Sequence, residues 1–180
     1  MKLMKNNRTI RKNWQLIFSL LFTLVGINGC GSYSFSPGGK LSSDLKTISI
    51  NNFVVNAAGG PTNLSADFTN RLKEYFQRNT NLSLKPGGDG DLVLEGSIIG
   101  YDVTPQAPTS SDKAALNRLT VTVQVRFSNN RNEASNFEQS FSFFKDFSQT
   151  QTLDQVESSL VPLILDQIVL DIFSKTAGDW

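Results

Sequence analysis

The stretch Leu119-Thr120-Val121-Thr122-Val123-Gln124-Val125-Arg126-Phe127-Ser128 decides the fold of this chain. Apolar and polar residues alternate along it, which is the pattern of a β-strand with one buried and one solvated face. The segment therefore predicts a half-buried strand at the centre of a sheet. Its polar face is formed by Thr120, Thr122, Gln124 and Arg126.

Strands are also predicted on both sides of this stretch. After a polar hairpin at 128–136, a second alternating strand places most of its phenylalanines on one face and its polar residues on the other, with Phe144 as the exception. Before it, 92–103 predicts a strand in which Gly96 and Gly100 indicate a bulge or a close neighbour. Residues 104–115 predict a long loop, a plausible contact element. The phenylalanines on the shared face are Phe137, Phe141, Phe143 and Phe147.

Two helices are predicted from apolar residues at helical spacing. The first covers about 64–78 with Thr62 or Asn63 as its cap. The second covers 153–177 with Thr152 as its cap, and Pro162 predicts a kink or a stepped start. This second helix is apolar on nearly every side, so we expect it to be buried on more than one side or to contact a second protein.

The order of elements is strand, helix, three strands, helix, with the first strand within 46–53. The predicted fold is α+β, with two helices packed on one face of a mostly antiparallel four-stranded sheet. The opposite face would carry polar side chains, among them Arg118 and Arg126. These two guanidinium groups are candidate contacts for phosphate or carboxylate groups of a partner or a glycolipid, or else solvated surface groups.

The first 29 residues predict an export signal. They contain five basic residues and no acidic one, and an apolar run of 14 residues from Trp14 to Ile27 follows. This run is short for a membrane span and fits a signal peptide. Gly29 before Cys30, with Ile27 two residues earlier, resembles a bacterial lipoprotein signal, so Cys30 would carry lipid. The alternative is an ordinary secretory signal or an uncleaved anchor.

Three parts of the chain follow from this interpretation. Residues 1–29 are a lipoprotein signal peptide, 30–44 a lipidated tether rich in Gly, Ser and Pro, and 45–180 a single α+β domain. More than one acyl chain on Cys30 would anchor the protein stably in a Gram-negative envelope.

The composition excludes several kinds of function. There is no histidine and only one cysteine, which removes His-dependent catalysis, His metal sites and Cys-cluster metal sites. Beyond residue 29 the formal charge is −4, so nucleic-acid binding is not expected and any contact with an anionic lipid should be local. Asp89 and Asp91 lie in a glycine-rich turn, where they would contact a cation or simply be solvated. We therefore expect no enzymatic activity and no cofactor other than the covalent lipid.

Five segments are similar to the LPS-assembly lipoprotein family LptE, in particular its more divergent branch. The similarity covers essentially the whole mature chain as a pattern and order of segments, without a catalytic motif. The segments are Cys30-Gly31-Ser32-Tyr33-Ser34-Phe35, Leu45-Lys46-Thr47-Ile48-Ser49-Ile50-Asn51-Asn52-Phe53, Ala115-Leu116-Asn117-Arg118-Leu119-Thr120-Val121-Thr122-Val123, Asn136-Phe137-Glu138-Gln139-Ser140-Phe141 and Ile168-Val169-Leu170-Asp171-Ile172-Phe173.

The resemblance implies a location, a partner and a ligand. Members of this family are anchored by lipid in the periplasmic leaflet of the outer membrane, sit as a plug inside the β-barrel LptD, and with it deliver lipopolysaccharide to the outer leaflet. The family fold is two helices on a four-stranded sheet. A polar sheet face would suit a wet barrel lumen. The competing hypothesis is a freestanding envelope lipoprotein that binds a ligand or acts as a scaffold; a hydrolase that uses carboxylates alone is a third.

Overall fold

A computed structural model describes residues 44–107 and 115–177. The predicted signal peptide, the tether through residue 43, and Cys30 with them, lie outside the described residues, as do 108–114 and 178–180. In chain order the elements are β1 (Thr47–Ile50), β2 (Val54–Val55), α1 (Leu64–Asn79), β3 (Ser83–Leu84), β4 (Leu92–Gln106), β5 (Leu116–Asn129), a 3₁₀ turn (Glu133–Ser135), β6 (Phe137–Ser148) and α2 (Leu153–Ala177).

The sheet has six strands and is mixed, so the prediction of four mostly antiparallel strands is wrong in count and direction, although the α+β class is confirmed. Strands β4, β5 and β6 form an antiparallel meander. Strand β1 runs parallel to β3 and β4, and β2 also runs parallel to β4. The reason is the connection: α1 carries the chain back to its starting end, so β3 and β4 run in the same direction as β1.

One hydrophobic core joins the inner face of the sheet to both helices. The five apolar residues of the alternating stretch in β5 are all buried, as the pattern predicted. Helix α1 contributes Phe68, Leu72 and Phe76, and α2 contributes Ile164, Leu165 and Ile168 among others. Each fully buried side chain of this size stabilises the fold by about 1.5–3 kcal/mol. The core therefore fixes which face of the meander turns outward.

The helix ends differ in detail from their predicted caps. Asn63 lies at the cap position of α1, but its side chain makes no capping hydrogen bond. At the start of α2 the backbone N–H of Thr152 donates to Gln155 Oε1 over 3.0 Å, which is one half of a capping box. Helix α2 runs unbroken through Pro162, so no new helix begins there.

Strand β4 is longer than predicted and contains the predicted bulge. Its register with β5 shifts between Ile98 and Gly100, and the extra residue, Ile99, is 45% exposed. Residues 104–106 belong to this strand and are not a loop, because they pair with 116–118 of β5. Pro105 is compatible with this position because a sheet edge tolerates a missing N–H.

Candidate functional site

The candidate site is the solvent side of the meander, which we call the outer face. Along β5 the even-numbered residues point away from the helices, and their partners on β4 and β6 do the same because paired residues share a face. The outer face is formed by the even-numbered residues of β5 and their partners on β4 and β6. Its members include Glu95, Ser97, Asp102, Thr104, Arg118, Thr120, Thr122, Gln124, Arg126, Glu138, Ser140, Ser142, Phe144, Asp146 and Ser148. The predicted polar face, including both arginines and the exceptional Phe144, is thus confirmed in its placement.

Arg118 is held by two neighbours on β6. Its Nε and Nη2 donate to the two carboxylate oxygens of Asp146 over 2.7 and 2.9 Å, the bidentate geometry that guanidinium groups favour. Its Cζ lies 3.6 Å from the centroid of the Phe144 ring, a cation–π contact. The hydrogen bond from Arg118 lowers the pKa of Asp146. The guanidinium is therefore both oriented and neutralised locally.

Arg126 bridges two strands. Its Nε donates to Glu138 Oε2 over 3.1 Å on β6, and its Nη1 donates to Glu95 Oε1 over 3.4 Å on β4. The pKa of Glu138 is lowered, chiefly by the hydrogen bond from Arg126 and next by that from Gln124. The side chain of Arg126 remains 58% exposed, so its guanidinium is ion-paired and still accessible from solvent.

A shallow groove of about 340 Å³ opens beside Arg126. Gly96, Glu95, Gln124 and Glu138 are among the residues that line it. Glycine is required there, because a Cβ on Gly96 would lie 2.0 Å from the backbone oxygen of Gln124. The predicted close neighbour of Gly96 is therefore the adjacent strand itself. The groove presents amide and carboxylate groups that can both accept and donate hydrogen bonds.

The outer face is acidic in total. Its four carboxylates, Glu95, Asp102, Glu138 and Asp146, outnumber its two guanidinium groups, which gives a formal charge of −2. An anionic ligand would have to share each guanidinium with a carboxylate already bound to it. Contact of Arg118 and Arg126 with lipopolysaccharide or a partner thus stays a prediction.

Asp91 is a structural group, and neither predicted role, a cation contact or a solvated carboxylate, describes it. Its Oδ2 accepts hydrogen bonds from the backbone N–H groups of Lys46 and Thr47, both over 3.0 Å, and its Oδ1 accepts one from Arg131 Nε over 2.9 Å. These bonds tie the start of β1 to β4 and to the β5–β6 hairpin. They lower the pKa of Asp91 strongly, with the hydrogen bond from Lys46 as the largest cause. Asp89 pairs instead with Lys85 over 2.8 Å at the surface.

Asp91→Asn is expected to lower the stability at neutral pH. Because the folded-state pKa of Asp91 is depressed, its contribution is present above the unfolded value of about 3.9 and is lost as the pH falls through the folded value. The gap between wild type and variant in urea midpoint should therefore shrink steadily in acid. Asp89→Asn is the matched control, with little expected effect because its ion pair is exposed. An equal loss in both variants would contradict the role of Asp91.

Tyr101 and Glu157 form a second contact that no motif indicated. The Tyr101 hydroxyl donates to Glu157 Oε1 over 2.5 Å and so links β4 to α2. Burial, followed by the interaction with Glu157, raises the pKa of Tyr101. Only the three-dimensional structure joins these residues, because they are 56 positions apart. The pair therefore contributes to the packing of β4 against α2 and is not part of the outer face.

Helix α2 buries nine of its 25 residues, and most of these recur every three or four positions along one face. The prediction that α2 is buried on more than one side is therefore wrong. Two large apolar residues of α2, Leu163 and Leu170, are 53% and 39% exposed. Contact of α2 with a second protein stays a prediction. Leu163 and Leu170 are the apolar side chains of α2 that would make such a contact. Within 44–107 and 115–177, no helix is both long and apolar enough to span a membrane. The same ranges contain no group of His, Cys, Asp and Glu side chains able to hold a metal ion.

The comparison with protein-family models decides the family. Residues 45–176 match LptE, described as lipopolysaccharide-assembly. The chain belongs to the LptE family. The match lies within the predicted domain of 45–180 and confirms the resemblance to this family. Four of the five segments fall inside it, and the segment at 30–35 does not. No curated protein matches the chain.

Two solved structures of bacterial lipoproteins are similar to the chain. A minor lipoprotein from Acinetobacter baumannii is 19% identical over 71% of this chain and 89% of that one, with a TM-score of 0.46. Lipoprotein B from Nitrosomonas europaea is 12% identical over 71% of this chain and 79% of that one, with a TM-score of 0.48. At these identities and TM-scores neither similarity indicates a function for the chain.

Proposed function

We propose that this protein is an outer-membrane lipoprotein that acts as plug and assembly partner of an LptD-type β-barrel in the delivery of lipopolysaccharide to the outer leaflet. The family match over 45–176 carries the proposal. Cys30 is proposed as the lipid anchor on the periplasmic side of the membrane. The role is structural rather than enzymatic, which agrees with the absence of histidine from the whole sequence.

The polar character of the outer face supports a location inside a large barrel. The lumen of such a barrel is wet and polar, and a face of carboxylate, hydroxyl, amide and guanidinium groups can exchange hydrogen bonds with it. The paired strands β4 and β5, which run from Leu92–Asn129 to Gln106–Leu116, would extend along the barrel lumen. The two exposed leucines of α2 add a small apolar contact on the other side of the sheet.

Depletion of the protein tests the proposed function in cells. Surface lipopolysaccharide should fall and the barrel should fail to assemble, and a plasmid copy should restore both. The freestanding-lipoprotein alternative predicts normal barrel assembly on depletion. Restoration by a copy carrying Glu at both 118 and 126 would remove the assigned role from the two arginines while leaving the plug itself intact.

Binding of lipopolysaccharide to the purified full-length protein tests the arginines directly. Replacing Arg118 and Arg126 with Gln should weaken binding about tenfold for each guanidinium that contacts a phosphate. Glu138→Gln and Asp146→Asn should strengthen binding, because each frees one guanidinium from its carboxylate. Ser140→Ala is a matched control on the same strand. Unchanged binding in the arginine variants would contradict the predicted contact.

A further inference from the structure

The outer face carries its excess negative charge at two separate positions. The first is the group in which the guanidinium of Arg126 contacts the carboxylates of Glu95 and Glu138. One cation against two anions leaves this Arg126 group with a formal charge of −1. The ion pair between Arg118 and Asp146 is balanced, so the rest of the charge of the outer face lies elsewhere.

Asp102 holds the second excess charge. It lies on the outer face, where it pairs with Thr120 of β5, and it is exposed to solvent. Within 44–107 and 115–177, none of the ion pairs includes Asp102. Its carboxylate is therefore the one on the outer face that no basic side chain of the described ranges neutralises.

The two positions are about 20 Å apart along the meander, because each residue of an antiparallel strand advances by about 3.4 Å. Glu95 pairs with Arg126 and Asp102 pairs with Thr120, so six residues of β5 separate them. A small ligand cannot span this distance. The described ranges also contain no group of acidic side chains able to hold a metal ion. Two charges so far apart fit the surface of a protein.

The side chains between the two positions are uncharged and mostly short. They belong to Ser97, Thr122, Gln124, Ser140 and Ser142, with Gly100 among them. Several of them bond to each other: Thr122 Oγ1 and Ser142 Oγ share a hydrogen bond of 3.0 Å, and the Ser140 hydroxyl donates to Gln124 Oε1. A low strip of this kind lets a second protein surface approach closely, whereas it has no apolar walls that would enclose a small molecule.

The carboxylates of the Arg126 group can accept further hydrogen bonds. Arg126 uses Oε1 of Glu95 and Oε2 of Glu138. The other oxygens accept from Asn51 Nδ2 over 3.4 Å and from Gln124 Nε2 over 3.3 Å, which is long compared with the usual distance of about 2.9–3.0 Å. All five residues line the groove of about 340 Å³. An ammonium or guanidinium group placed there would bond to these oxygens and balance the charge of the group.

We propose that the outer face docks against a protein surface that presents basic side chains at both positions, one in the groove beside Arg126 and one opposite Asp102. This inference rests on the proposed function, because it takes the lumen wall of the barrel as the partner. Charge complementarity selects the partner's chemistry: lysine or arginine at both positions neutralises the face, whereas carboxylates there would repel it. Opposite charges would also set the orientation of the plug and speed its encounter with the wall.

Competition for the barrel in cells tests this docking. A tagged barrel would be captured in mild detergent from cells that express wild type and one variant in equal amounts, and mass spectrometry would give the ratio of the two in the complex. Glu95→Gln combined with Asp102→Asn changes charge with little change of shape. This double variant should be under-represented by about tenfold for each contact between charges that is lost.

A matched control removes the same two charges away from the outer face. Glu74 on α1 and Glu133 on the 3₁₀ turn are exposed, so Glu74→Gln combined with Glu133→Gln should enter the barrel as often as wild type. Asp102→Asn alone repeats the test if the double variant does not fold, because Asp102 has no ion pair within the described ranges to lose. Equal urea midpoints of the purified proteins would show that stability is unchanged.

The outcomes separate this inference from the proposed function. A double variant as frequent in the complex as wild type would overturn the inference and leave the plug proposal intact. A variant more frequent than wild type would assign an anionic partner surface, and a control reduced as much as the double variant would assign an effect of net charge alone. Either result would overturn the inference too. Absence of wild type from the captured barrel would instead contradict the proposed function.

Discussion

Gly96→Val is expected to destabilise the domain by at least about 3 kcal/mol, because overpacking of this severity cannot be relieved by side-chain movement. A Cβ at this position would lie 2.0 Å from the Gln124 oxygen and 2.8 Å from Phe53 Cε1. The first contact is with backbone of the central strand, so β4 and β5 would have to separate. Urea unfolding followed by circular dichroism measures the loss as a lower midpoint.

Two other glycines serve as controls for Gly96. A Cβ at Gly59 would make only ordinary contacts, at 3.4 Å to Tyr101 Cδ1, so Gly59→Ala should change stability by less than about 0.5 kcal/mol. A Cβ at Gly100 would lie 3.1 Å from Thr122 Cβ, so Gly100→Ala should be intermediate. A Gly96 variant as stable as the Gly59 variant would contradict the described packing of β4 on β5.

Cys30→Ser is expected to remove the lipid and to leave the leader attached. The wild-type chain should begin at residue 30 and exceed the mass of its amino acids by that of its acyl groups, each buried methylene of which contributes about 0.8 kcal/mol to anchoring. Intact-mass spectrometry of membrane-extracted protein measures both features. Ser32→Ala is the control and should be processed normally. A Cys30→Ser chain that is cleaved as efficiently as wild type would favour an ordinary secretory signal.

The long elements were predictable because one physical signal dominates each of them. The alternation in 119–128 and the helical spacing of Phe68, Leu72 and Phe76 reflect burial on one face, and burial is what the structure shows. Gly96 could be singled out because a glycine inside a strand marks a bulge, a bend or a close approach of a neighbour. The polar face of β5 followed from the same alternation that defined its core face.

Two of the short strands and the polar contacts were not predictable from the sequence. Strands β2 and β3 have two residues each, which is too short for a period to appear, whereas β1 lies within the strand predicted over 46–53. The parallel direction of β1 with β3 and β4 depends on the crossover through α1. The pairing of Arg118 with Asp146 depends on strand register, which alternation alone does not fix. The sequence therefore indicated two cations on the outer face but not the carboxylates that bind them.

Co-purification from membranes tests the plug proposal most directly. The full-length protein with a C-terminal tag would be extracted in mild detergent, and the captured proteins would be quantified. A large β-barrel protein recovered in roughly equal amount, and lost when membranes lack that barrel, is the predicted result. Recovery of the lipidated protein without any barrel would contradict the plug proposal and favour the freestanding lipoprotein.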